Sequence, residues 1–244
     1  MTDFSSKIAK AKKYINYIET QTSQLILIKN KVFNSINEEE KEISEKIEKI
    51  SNNVHKAQVN MDQLIKELKL DITQNKNENE ETDLRIKNNL FEAMIINFQH
   101  VIQKYQDEES SLKKIKEDKL IREAEIVLHE DLNEKQRREM IENPQMLKTI
   151  YANKLKGAAH VKLQNAVKDL EERHKDILKL QKSILELHKM ILELSQLAQY
   201  QGEMIDNIVD NVSKAKDYVI KGEIEINKGH ERMKKPFFKR IFNI

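Results

Sequence analysis

Residues 175–220 read KDILKLQKSILELHKMILELSQLAQYQGEMIDNIVDNVSKAKDYVI. Counting from Ile177 in alternating threes and fours gives Leu180, Ile184, Leu187, Ile191, Leu194, Ala198, Gln201, Ile205, Ile208, Val212, Ala215 and Val219, and the count continues to Gly222, Ile226 and Gly229. This is the a/d spacing of a coiled coil, in which one narrow stripe of a helix is buried against other helices. At 1.5 Å per residue the run from 177 to 229 spans roughly 80 Å, more than one globular core requires. The seam therefore faces partner helices or folds back on another part of the chain. Gln201 is the one polar side chain in it. Burying an unpaired amide costs about 1–3 kcal/mol, so a partner must supply donors or acceptors at that layer. A cationic partner such as Arg would strengthen those bonds. On spacing alone, a residue that merely sets register in a homo-oligomer fits equally well.

Composition agrees with long helices throughout. Of 244 residues, 39% are hydrophobic and 34% charged, with 4 Gly, 2 Pro, no Cys and no Trp. Hairpins, βα turns and phosphate-binding loops need glycine and proline that this chain barely has, so an all-α fold is expected. Without Cys there are no disulfides and no thiolate chemistry, which suits a reducing compartment. No apolar run approaches 18 residues, so no membrane-spanning helix is expected in this stretch, and no secretory signal peptide is present. Residues 36–81 carry twelve acidic and seven basic side chains, whereas residues 230–244 carry five basic and one acidic. Nucleic-acid binding is not indicated, because the basic tail is short and no recognition motif accompanies it.

Upstream of the seam, Phe4, Ile8, Ala11, Ile15, Ile18, Thr22, Leu25 and Val32 share one face of a helix reaching about Asn34. Ile43, Ile47, Ile50, Val54, Ala57, Met61, Leu64 and Leu68 form a cleaner a/d series, preceded by Glu38-Glu39-Glu40, whose charges suit a helix N-terminus. After a polar loop at 74–79, Thr82 or Asp83 could cap a third helix carrying Phe91, Ile95, Phe98, Ile102, Tyr105 and Leu112. Three such helices joined by short loops predict an up-down-up bundle over 1–112. Residues 113–165 are expected to be a partly helical linker, broken at Asn143-Pro144 and softened at Lys156-Gly157. Residues 166–230 form the seam helix and 231–244 a basic-aromatic tail. In that tail Lys234, Lys235, Lys239 and Arg240 interleave with Phe237 and Phe238, a pattern suited to an anionic membrane surface at roughly 1 kcal/mol per basic residue.

The segment Glu186-Leu187-His188-Lys189-Met190, followed by Gln201-Gly202-Glu203-Met204-Ile205-Asp206-Asn207-Ile208 and Asn211-Val212, resembles the SNARE motif of syntaxins, the Qa-SNAREs of membrane fusion. Heptads alone do not dictate the surface string from Gly202 to Asp206. Asp3-Phe4 and Asp83-Leu84-Arg85-Ile86 resemble matching places in the syntaxin Habc domain. The likeness is strongest over 171–219 and closest to the syntaxins of the plasma membrane. It implies an Habc-like bundle that can fold onto the last helix, and Gln201 as the ionic-layer glutamine of a parallel four-helix bundle. The partners it implies are an R-SNARE, Qb and Qc SNARE helices and an SM-family regulator, acting at the cytoplasmic face of a membrane. In four places the sequence departs from the family. Neither the family's C-terminal anchor nor its N-terminal peptide has a counterpart between Met1 and Ile244, and Arg137-Arg138 stands where the Leu-Glu pair that helps hold exocytic syntaxins closed aligns. Gly222 and Gly229 each cost about 1 kcal/mol of helix propensity, so the last layers are expected to zip weakly.

No enzyme is indicated. The seven His are scattered, with His174 and His188 assigned to the helix surface rather than to a metal, and no cofactor, metal or small-molecule substrate is expected. The competing reading is a homo-oligomeric helical scaffold, a BAR-like or cytoskeletal coiled coil. It calls for a basic stripe along the rod, whereas the basic residues gather at its end.

Overall fold

Each periodic stretch offers one apolar face too narrow for a helix buried all round, so the helices must cover one another. The computed structural model describes residues 2–32, 35, 37–74, 81–128, 130–143 and 160–199. Among these are five helices and no strand: α1 (Thr2–Val32), α2 (Asn37–Gln74), α3 (Glu81–Leu128), α4 (Glu134–Glu142) and α5 (His160–Gln199). The fold is all-α, an N-terminal helical bundle followed by a long C-terminal helix. Every seam residue expected in the first three helices is buried, from Phe4 through Leu112. Ile65, Met94 and Val101 thicken the same core.

Polar contacts fix the directions. Lys7 near the start of α1 reaches Asp71 near the end of α2 at 2.7 Å, and midway Asn53 donates to Gln21 at 3.1 Å, so α1 and α2 are antiparallel. Lys29 near the end of α1 pairs with Glu108, well along α3, and Lys119 donates to the Val32 and Ser35 carbonyls at 3.2 and 2.8 Å. α1 and α3 therefore run the same way, and α2 runs opposite to both.

α3 continues past Leu112 to Leu128 and α5 begins at His160, so the stretch 113–165, expected to be partly helical, holds helix at both ends. The reason lies in seam positions that carry charge: Glu109, Lys116 and Lys119 are buried alongside Leu112, Leu120 and Ala124. α2 and α3 touch only sparsely, and among the described residues the most extensive interface is between α3 and α5. Leu180, Leu187, Ile191 and Leu194 join the same core cluster as α1, α2 and α3. The bundle thus has four helices, the fourth being the seam helix itself.

α4 is a short return between α3 and α5. Asn133 caps it, accepting from the Gln136 backbone N–H at 2.9 Å while the Gln136 side chain accepts from the Asn133 N–H at 2.9 Å. This reciprocal capping box satisfies two otherwise orphaned donors. The helix ends at Glu142, and Asn143 is extended ahead of Pro144, where the proline bias places a break.

Candidate functional site

The long apolar run folds as a helix because its residues recur at threes and fours with straight-chain Leu, Lys, Glu and Gln between them, all good helix formers. Its inner face lies along α3 in antiparallel register. Gln99 donates to Ser195 Oγ at 2.8 Å, Gln106 to the Ile184 carbonyl at 3.0 Å and Lys116 to Asp176 at 2.8 Å. α5 runs parallel to α2, with Arg173 bridging to Glu40 at 2.8 Å and Lys179 to Glu48 at 3.4 Å.

Between these contacts the seam packs. Ile177, Leu180, Leu187, Ile191 and Leu194 are buried, while Ile184 and Ala198 are half-buried. The residues that define the coiled-coil stripe are thus turned into the bundle, and this stripe cannot at the same time face other helices. Gln201, the later layers Ile205, Ile208, Val212, Ala215, Val219, Gly222, Ile226 and Gly229, and the tail residues Lys234, Lys235, Phe237, Phe238, Lys239 and Arg240 lie outside the described residues. On the opposite side, Leu178, Leu185 and Leu192 point to solvent at seven-residue intervals.

Around Arg173, charge adds to the apolar packing of Leu170 and Ile177 in fastening α5. The Arg173 guanidinium lies between Glu40 of α2 and Glu123 of α3. Glu40 also takes Lys119 of α3 at 3.2 Å. One turn on, Lys116 spans Asp176 of α5 and Ser44 of α2, at 2.8 and 3.2 Å. Burial pulls both Lys119 and Arg173 below their ordinary ranges, and the Glu40 carboxylate opposes it. Partly buried pairs of this kind are net weak but costly to break, because the surviving charge is stranded.

His174 corrects the expectation of a surface role. It is 1% exposed, and its Nε2 lies 2.7 Å from the Ile141 carbonyl of α4. A carbonyl only accepts, so Nε2 carries the hydrogen. His188 is exposed, as expected. Arg137 reaches back to Glu125 on α3 at 2.7 Å and Met140 is fully buried, so α4 is pinned on one side to α3 and on the other to α5. Sequence reasoning gave His174 and Arg137 other roles and passed over Asn133, Gln136 and Met140. The signals were Asn133 three residues before Gln136, and charged side chains recurring at the seam spacing beyond Leu112.

Two buried carboxyls also sit on α3. Glu109 is 1% exposed and accepts from the Tyr105 hydroxyl at 2.7 Å. Burial raises it above the usual carboxylate range, with Tyr105 and Ser183 of α5 opposing. Burial raises Glu92 as well. Tyr105 is likewise raised, by its burial and by the Glu109 carboxyl beside it.

This geometry defines a class: a helical bundle in which a long coiled-coil helix is folded back along its own N-terminal helices. The family model of the SNARE domain matches residues 168–237, so the chain carries a SNARE domain, covering most of α5 and the seam beyond it. That domain belongs to a non-enzymatic family whose helices assemble with other SNARE helices into bundles that act in membrane fusion. No curated protein matches the chain. No helix among the described residues is long and apolar enough to cross a membrane.

Proposed function

We propose that the chain is a syntaxin-like Qa-SNARE, closest to those of the plasma membrane, that contributes its last helix to a parallel four-helix bundle in exocytic fusion. The observation that carries the reading is the glutamine at the one polar layer of the seam. Gln201 falls within the SNARE domain match at 168–237, in register with Ile177, Leu180, Leu187, Ile191 and Leu194. In this reading Gln201 is the ionic-layer residue, meeting an Arg from an R-SNARE and glutamines from Qb and Qc helices. The layers Ile205, Ile208, Val212, Ala215, Val219, Gly222, Ile226 and Gly229 continue the bundle toward the membrane. There Lys234, Lys235, Phe237, Phe238, Lys239 and Arg240 lie on its anionic cytoplasmic surface.

The N-terminal helices are the regulatory cap, and an SM-family regulator binds the folded-back form. Assembly draws on burial of apolar layers at about 25 cal/mol per Å² against the entropy of ordering the helices. Circular dichroism with thermal melting on residues 166–230, alone and mixed with R-type and two further Q-type helices, tests it. A weakly helical segment that gains helix and melts far higher with partners supports the reading, and Gln201→Leu should then weaken the preference for the Arg-bearing helix. A segment already helical alone, concentration-dependent and indifferent to partners would replace the fusion role with a homo-oligomeric scaffold.

A further inference from the structure

The seam of α3 is apolar at Phe98, Ile102, Tyr105 and Leu112, yet at Glu109, in the same series, it places a carboxyl where α5 crosses. Gln106, on the turn before, donates to the Ile184 carbonyl, and Ser183 of α5 bears directly on Glu109. One carboxyl oxygen accepts from Tyr105, while Oε2 is buried and accepts no hydrogen bond of normal geometry among the described residues.

A cleft of about 430 Å³ opens alongside, between α2 and α5. The titratable groups around it are Glu48 and His55 on α2, Tyr105 and Lys116 on α3, and Asp176, Lys179, Lys182 and Glu186 on α5. Each of its three lysines is already paired with another carboxylate: Lys116 with Asp176, Lys179 with Glu48 and Lys182 with Glu186. Lys113, one turn on along α3, is paired with Glu117, and Glu109 forms no ion pair among the described residues. An ionised carboxylate in that position is expensive, and the neutral acid is not.

We propose that Glu109 couples proton uptake to the docking of α5: the carboxyl is neutral while α5 covers it and ionises when α5 leaves, so rising pH releases the seam to partner helices. This deepens the reading of the N-terminal helices as a cap and rests on it. Burial holds the docked carboxyl above its ordinary range, and the sign follows. A group whose value is raised in the packed state stabilises that state fully below its free value, near 4.3 for Glu, and loses the contribution as pH rises through the packed value. With one proton taken up, the docking equilibrium falls by up to about tenfold per pH unit in that window.

The chain has no Cys, so a label pair can be introduced selectively in the full chain through Lys49→Cys on α2 and Gln181→Cys on α5. The distance between the labels, followed by energy transfer across pH, reports the docked fraction, while far-ultraviolet circular dichroism confirms that total helix content is constant. The expected result is a docked fraction that declines as pH rises in the parent chain and in Glu92→Gln and His55→Gln, but stays high and flat in Glu109→Gln, which keeps the shape and removes the charge. A parent chain docked at every pH, or a Glu109→Gln variant that follows the parent's curve, would overturn the proton coupling alone. Labels far apart at every pH in both chains would overturn the coupling and the cap reading together.

Discussion

Replacing Arg173 with Met should loosen α5 from the bundle at its N-terminal end while leaving α1, α2 and α3 folded. Arg173 bridges α2 and α3 together, through Glu40 and Glu123. Met keeps the apolar stem and removes the charge. Glu40, at 13% side-chain exposure, would retain Lys119 at 3.2 Å, whereas Glu123, at 29%, would lose its Arg173 contact. Stranding a half-buried carboxylate costs about 1–3 kcal/mol, below the about 3–5 kcal/mol of a fully buried pair, because Glu40 keeps Lys119 and water reaches Glu123. At 1.4 kcal/mol per tenfold, the docking equilibrium should weaken by roughly 5- to 150-fold. Native-state hydrogen exchange reads this directly: amides from Glu172 to Ile177 should lose protection by that factor, while those around Phe98 on α3 keep theirs. Unchanged protection over 172–177 would mean that the charge cluster does not hold α5, and that apolar packing further along does all the fastening.

Other expectations follow from the same packing. Leu187→Ala, at a buried seam position, should cost about 2–5 kcal/mol of docking, whereas Ile184→Ala, only half-buried, should cost clearly less; thermal melts of the two variants check the order. Asn133→Ala removes one half of the capping box and about 1 kcal/mol of helix stability, so exchange at Gln136 and Arg137 should quicken with no change in α1. Glu109→Gln should raise the melting temperature of the four-helix state at neutral pH and leave it unchanged at pH 4, since the carboxyl it replaces is costly only when ionised.

The first two helices were legible because apolar residues recur without a miss from Ile43 to Leu68 and, apart from Thr22 and a gap between Leu25 and Val32, from Phe4 to Val32, and burial follows both series. The third of α3 beyond Leu112 was legible only as part of a partly helical linker, since Lys116 and Lys119 occupy seam positions and read as a solvated face until Asp176 and Glu40 are placed opposite them. Those partners lie 60 and 79 positions away, and no local pattern reveals the pairing. His174 was misplaced for the same reason: its acceptor is a backbone carbonyl of α4, which carries no side-chain signature. Between Ile177 and Leu194 the seam of α5 lies against other helices, but its spacing fits a foreign partner and α3 equally well. The choice between them is energetic and conformational rather than written in the heptads.

The most direct measurement compares how fast partner SNARE helices capture the full chain and a segment comprising residues 160–244. Because Ile177, Leu180, Leu187, Ile191 and Leu194 are buried against the bundle, the full chain should assemble more slowly, and Arg173→Met should recover part of the difference. Equal rates for the full chain and the segment would contradict the account, since they would mean that the folded-back helix does not keep its seam from partners.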